Sequence, residues 1–149
     1  NFERPGESMR VGRDIQWTRP DLSFEQGEFE RVAEHFSQTE EERQGIVKAL
    51  IEGATHIEPT ELSESDWAAL ENTDSFDIAP GGYDTVAKLA EEYRRDAARL
   101  IAEMNSGNPI EAPIIARIRG TLHLVSGNTR LMIARAAGQV PQVVVVEIK

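Results

Sequence analysis

Thr121-Leu122-His123-Leu124-Val125-Ser126-Gly127-Asn128-Thr129-Arg130 runs straight into Leu131-Met132-Ile133-Ala134-Arg135-Ala136-Ala137-Gly138, and the chain closes with Gln142-Val143-Val144-Val145-Val146-Glu147-Ile148. The segment 120–149 reads as a strand, a phosphate-binding type of turn, a helix and a second strand. Thr121–Val125 is the first strand and Asn128–Ala137 the helix, with Gly138 as its stop. Gln142–Ile148 is the second strand. Its four consecutive valines suit a strand buried on both faces.

The same reading extends outward. Pro113–Ile118 is a strand, and Arg119-Gly120 is a tight turn that makes Thr121–Val125 its hairpin partner. Before it, Val86, Leu89, Ala90, Tyr93, Ala97, Leu100, Ile101 and Met104 recur at steps of three and four. That spacing predicts one long helix over Asp84–Met104, capped by Asp84 and stopped at Gly107. Asn72–Gly82 is a loop with Pro80-Gly81-Gly82 as its turn. Ser63-Glu64-Ser65-Asp66 opens a short helix through Leu70, and Ala54–Leu62 is a loop or a short strand. Thr39-Glu40-Glu41-Glu42 has the capping-box pattern of a second helix, striped by Ile46, Val47, Leu50 and Ile51 and stopped at Gly53. Phe29, Val32, Ala33 and Phe36 predict a helix over Glu25–Phe36. Residues 1–23 read as a polar arm, with a short strand at Val11–Trp17.

The 149 residues suit one domain. There is no cysteine, which excludes disulfides, Cys-ligated zinc and thiol chemistry. No apolar run has the length of a membrane span, and Asn1-Phe2-Glu3-Arg4 is not a signal peptide. A cytoplasmic location is expected, and the missing initiator Met suggests a trimmed or excised segment. The formal charge is -10, but residues 108–149 carry five Lys/Arg against two acids. An acidic body disfavours non-specific DNA binding. The positive C-terminal part still suits a small anion.

The turn is where that anion fits. The first amides of a helix lack internal acceptors, and with the helix dipole they attract negative charge. Gly127 lets a phosphate approach the backbone, Thr129 offers a hydroxyl and Arg130 a charged fork. Asn128 is placed to orient a substrate or a metal-bound water. Spacing alone equally allows a Ser126 that only caps the helix and an Arg130 on the surface. Trp17 and Trp67 read as core or interface anchors. His123 points from one face of its strand.

Several elements in order carry a resemblance. They are Gly107-Asn108-Pro109-Ile110, Leu124-Val125-Ser126-Gly127-Asn128-Thr129-Arg130-Leu131, Ala136-Ala137-Gly138 and Val140-Pro141-Gln142-Val143. Together they resemble the core of the ParB/sulfiredoxin superfamily. The resemblance implies an α/β (α+β) fold in which helices pack a small mixed sheet. The core would span 84–149, with an N-terminal arm and acidic helical section over 1–80. Sulfiredoxin chemistry is excluded by the missing Cys. ParB proteins of chromosome partition carry Gly-Glu-Arg-Arg here and bind CTP, so only Gly127 and Arg130 match. The ADP-dependent free serine kinases carry Gly-His-Thr-Arg, which Gly127, Thr129 and Arg130 match and Asn128 does not.

The resemblance therefore implies a nucleotide (ATP, ADP or CTP with Mg²⁺), with phosphates at Ser126, Gly127, Asn128, Thr129 and Arg130. It also implies a phosphotransferase, kinase-like, or a nucleotide hydrolase. Such an enzyme needs a carboxylate base, for which Glu58 and Glu61 are the sequence candidates, with Asn128 beside the chemistry. Glu111 is a candidate contact to a metal or a ribose hydroxyl. Two rivals stand beside this reading. One is a non-enzymatic, nucleotide-gated or structural module in DNA partition, transfer or modification, with the acidic helices as a protein-partner or homodimer surface. The other is a ParB-like nuclease, disfavoured by the acidic balance and the lack of a clustered metal-carboxylate motif.

Overall fold

A computed structural model describes residues 11–22, 26–71 and 97–148. The expected loop at Asn72–Gly82, the Asp84 cap, the first part of the long helix and the beginning of the polar arm lie outside these residues. The described elements run β1 (Trp17–Thr18), α1 (Gln26–Phe36), α2 (Glu40–His56), β2 (Thr60–Glu61), α3 (Glu64–Glu71), α4 (Ala97–Asn105), β3 (Ile110–Glu111), β4 (Ile114–Ile118), β5 (Thr121–Ser126), α5 (Asn128–Ala136) and β6 (Gln142–Ile148). The fold is mixed α/β. A four-stranded sheet has the order β2-β6-β4-β5, and β1 and β3 form a small parallel pair.

The sheet grows from the hairpin. Arg119 and Gly120 both take positive φ, 51° and 86°, which is the turn that matches strand twist in a two-residue loop. β5 therefore returns antiparallel to β4, while β6, after the α5 crossover, lies parallel to β4 on its other side. β4 starts at Ile114, because Pro113 has no N–H to give a ladder; its carbonyl still accepts from Val144 at 2.9 Å.

Alternation along the strands supplies two cores. Ile114, Ala116, Ile118, Val144 and Val146 face Phe29, Val32, Ala33, Ile46 and Leu50 of α1 and α2. Ile115, Leu122, Leu124 and Val143 face Trp67, Ile101, Met104, Leu131 and Ile133 of α3, α4 and α5. The sheet is thus covered on both faces, as the valine run requires. Phe29 and Leu50 are fully buried, each a gain of roughly 1.5–3 kcal/mol. The acidic helices are therefore part of the core, and only their outer faces meet solvent. Trp67 is an anchor of that core and Trp17 packs against it. His123 leaves β5 on the α1 side, its ring 4.4 Å from that of Phe36.

Two boundaries differ from the sequence reading. Of the expected Val11–Trp17 strand only Trp17 pairs, joined by Thr18 beyond it, because the partner β3 is just two residues long. The expected start of α1 at Glu25 lies outside the described residues. Gly53 does not stop α2, which continues to His56. Its role is to permit close approach: a Cβ there would lie 2.6 Å from Val146 Cγ1 and 3.0 Å from Cγ2. Gly53→Ala is expected to destabilise by about 1–2 kcal/mol, overpacking winning over the better helix propensity of alanine. A double-mutant cycle with Val146→Ala in urea unfolding should recover most of the loss; no recovery would contradict the close contact.

The start of α2 behaves as its capping pattern requires. Thr39 Oγ1 accepts from the Glu42 amide at 3.1 Å. Within the first turn, the hydrogen bond from the Arg43 guanidinium pulls the Glu40 carboxyl from its ordinary 4.5 down to about 2. The folded value lies below the unfolded one. The pair's contribution is therefore present above pH 4.5 and lost as pH falls towards 2. A carboxyl NMR titration should place Glu40 near 2, and Arg43→Ala should return it to the ordinary range.

Candidate functional site

β5 ends at Ser126, and Gly127 turns the chain into α5 with φ 105° and ψ 22°. That left-handed conformation suits glycine. Space demands it too: a Cβ at Gly127 would lie 2.6 Å from Pro113 Cβ and 2.9 Å from Pro113 Cα. The turn therefore lies flush on the start of β4. Gly127 is the N-cap and contributes no side chain, so the end of α5 is left to backbone. The expectation that Ser126 caps this helix fails, since Ser126 is the last residue of β5 and its hydroxyl meets Arg130 instead.

Arg130 is half-buried, on the first turn of α5. Its Nη1 donates to the carbonyl of Glu111 at 2.6 Å and its Nη2 to Ser126 Oγ at 3.3 Å. The guanidinium thus ties three segments together: β3, the end of β5 and the helix. It is not a loose surface arginine. Its positive charge remains beside the helix end whatever its hydrogen bonds, and adds to the dipole there. Asn128, the first residue of α5, has its Oδ1 buried with no hydrogen-bond partner. An orphaned acceptor of this kind is uncommon, and it lies next to the turn. Thr129 is half-buried in the same turn.

Glu111 precedes β4 at the same end of the sheet. One of its carboxylate oxygens accepts the backbone N–H of Asp21. Asp21 comes there because β1 runs parallel to β3, with Ile110 N donating to Gln16 O at 2.7 Å and Ala112 N to Thr18 O at 2.8 Å. Ser126, Gly127, Asn128, Thr129, Arg130 and Glu111 are therefore brought together, and Asp21 joins them unforeseen.

The two other carboxylates take different positions. Glu58 is exposed and paired with Arg19 at 3.5 Å. Glu61 is exposed on β2, separated from β5 by β6 and β4. Three strand spacings amount to about 14 Å. Neither shares a hydrogen bond with the turn among the described residues. His56 is exposed at the end of α2. Among the described residues, no three His, Cys, Asp or Glu side chains cluster as a metal site, and no helix is long and apolar enough to cross a membrane.

Chemically, the arrangement offers a cationic helix end, an amide oxygen with no partner among the described residues and the Glu111 carboxylate, with the backbone of Asp21 against it. Positive and negative groups that close suit a phosphate ester whose other end carries hydroxyl or amine donors. No family model, no curated protein and no solved structure matches the chain.

Proposed function

We propose that this chain binds a nucleotide through its phosphates at the Gly127 turn and acts as a nucleotide-dependent phosphotransferase or hydrolase of the ParB/sulfiredoxin-like kind. The observation that carries the reading is the turn itself. A left-handed glycine, pressed on Pro113, opens a helix without a side-chain cap, with an arginine in the first turn. The order of hairpin, glycine turn, helix and valine-rich strand supports the family resemblance.

Phosphates would rest on the backbone at Gly127 and Asn128, with the charge of Arg130 alongside. Arg130 holds the turn in place through Glu111, so much of the phosphate binding falls to the amides and the dipole. Mg²⁺ neutralises transferring phosphoryl groups when bound, and Glu111 would be the carboxylate to hold it. A general base after an N-terminal strand, as the resemblance implies, would correspond to Asp21 following β1, with Glu58, paired to Arg19 of the same stretch, and Glu61 as the other candidates. The acidic chain fits a cytosolic protein acting on a small substrate rather than on a DNA backbone.

The test is calorimetric titration of ATP, ADP and CTP, each with Mg²⁺, into the wild type and Asn128→Asp. The substitution adds an anion where the phosphate would sit. The carboxylate would replace a buried oxygen that has no partner among the described residues, so circular dichroism and urea unfolding of the variant accompany the titration and separate lost binding from lost folding. Binding by the wild type, weakened at least tenfold (about 1.4 kcal/mol) in the variant, is the expected result. Absent wild-type binding, or equal binding by both, would sink the proposal. Binding without turnover of phosphate would move the protein to the nucleotide-gated, non-enzymatic class.

A further inference from the structure

We propose that residues 11–22 form a strap whose docking is coupled to anion binding at the Gly127 turn, through β3. The ligand half of this inference rests on the phosphate-site reading above. The mechanical half does not.

The strap is held by hydrogen bonds along its length and by a few apolar side chains. Gly12 N donates to Asn105 Oδ1 at 2.7 Å. Gln139 grips the backbone twice: its Oε1 accepts from Ile15 N at 2.8 Å, and its Nε2 donates to Arg13 O at 2.8 Å. This amide side chain imitates a neighbouring strand. Further along, Gln16 O and Thr18 O accept from Ile110 N and Ala112 N, and Asp21 N donates to Glu111. Apolar side chains add to this, with Val11, Ile15 and Trp17 on one core and Leu22 on the other. Ile15 is the one hydrophobic residue of the strap that is fully inside, while Gly12, Arg13, Asp14, Gln16, Thr18 and Arg19 are exposed. An element with exposed hydrogen bonds and mostly half-buried apolar residues is the kind that opens below the global unfolding free energy.

What makes this strap more than an arm is the place where it ends. β3 is two residues wide, with the strap on one side and Arg130 on the other. Glu111 receives the strap through its carboxylate and receives Arg130 through its carbonyl. Arg130 in turn holds Ser126 at the mouth of the turn. The docked strap therefore fixes β3, and β3 fixes the guanidinium at the helix end. Releasing the strap frees β3 to shift and lets Arg130 move with it. A ligand that needs Arg130 in place binds the docked form better, and by linkage it must then hold the strap down.

The experiment combines hydrogen exchange with nucleotide titration. Gln139→Leu removes both grips on the backbone of residues 13 and 15, at the far end of α5 from the turn. In the absence of ligand it should speed exchange at Ile15, and also at Ala112 and Asp21, as the strap leaves as one unit. Arg130→Ala should speed exchange at Ile110, Ala112 and Gly12 from the opposite side. Saturating ADP with Mg²⁺ should slow exchange at Ile15 in the wild type, and Gln139→Leu should weaken ADP binding about fivefold. Asn105→Ala provides a second release, at Gly12, should Gln139→Leu fold poorly. Faster exchange confined to Ile15 in Gln139→Leu, with ADP affinity unchanged, would overturn the coupling. A wild type that binds no nucleotide would overturn the phosphate reading and the ligand half together. In that case the Arg130→Ala exchange pattern still decides whether turn and strap communicate.

Discussion

Replacing Gly127 with alanine is expected to lower stability by about 2–4 kcal/mol, measured by urea unfolding. Two effects add. At φ 105° an L side chain is strained, which costs roughly 1–2 kcal/mol in left-handed backbone. The new methyl would also lie 2.6 Å and 2.9 Å from Pro113 Cβ and Cα, and overpacking of this kind costs about 1–3 kcal/mol. Pro113 has a rigid ring, and one of the two clashing atoms is backbone, so relief requires the turn to lift off β4. Gly120 is the control. It too has positive φ, 86°, but a Cβ there meets nothing within 4 Å. Gly120→Ala should therefore show only the strain. If both variants lose the same stability, the close packing of turn on strand is not what constrains Gly127. The larger loss should be accompanied by weaker nucleotide binding, since the displaced turn carries the amides.

Arg130→Ala is expected to cost about 2–3 kcal/mol, because a charged, half-buried hydrogen bond disappears and the Glu111 carbonyl loses its donor. For a chain of this size that corresponds to a fall in melting temperature of roughly 5–10 °C in calorimetry. Arg130→Lys should recover less than half of it. A lysine ammonium is a point charge on a flexible stem and does not bridge Glu111 O and Ser126 Oγ with two fixed N–H groups. Full recovery by lysine would show that charge, not the fork, is what the site needs.

Much of the sheet was legible because its signals are local. The β4–β5 hairpin, α5 and β6 follow from alternation, a two-residue turn, a glycine stop and a valine run, all within thirty-five residues of one another. The turn of the candidate site lies in that stretch, so Ser126–Arg130 could be read directly. β1 and β3 could not. Two residues show no periodicity, and their pairing joins Trp17 to Ile110 across most of the chain. Asp21 was missed with them, since only that pairing brings it to Glu111. The grips of Asn105 and Gln139 leave no pattern either, because an amide that holds a distant backbone looks like any polar residue near a helix end. Gly53 misled for a different reason. A glycine after a hydrophobic stripe reads as a stop, whereas here the stripe's helix needs the missing side chain to pass Val146.

β6 lies inside the sheet, between β2 and β4, although it is the last of the described elements to leave the ribosome. Helix α2 rests on this strand at Gly53 and Val146, about ninety residues apart. At synthesis rates of roughly 5–20 residues per second, that gap is about 5–20 seconds. For that interval the apolar stripes of α1 and α2, Phe29 and Leu50 among them, have no completed sheet to cover. The nascent chain therefore depends on whatever shields those helices meanwhile, and its folding is expected to finish only when the valines arrive.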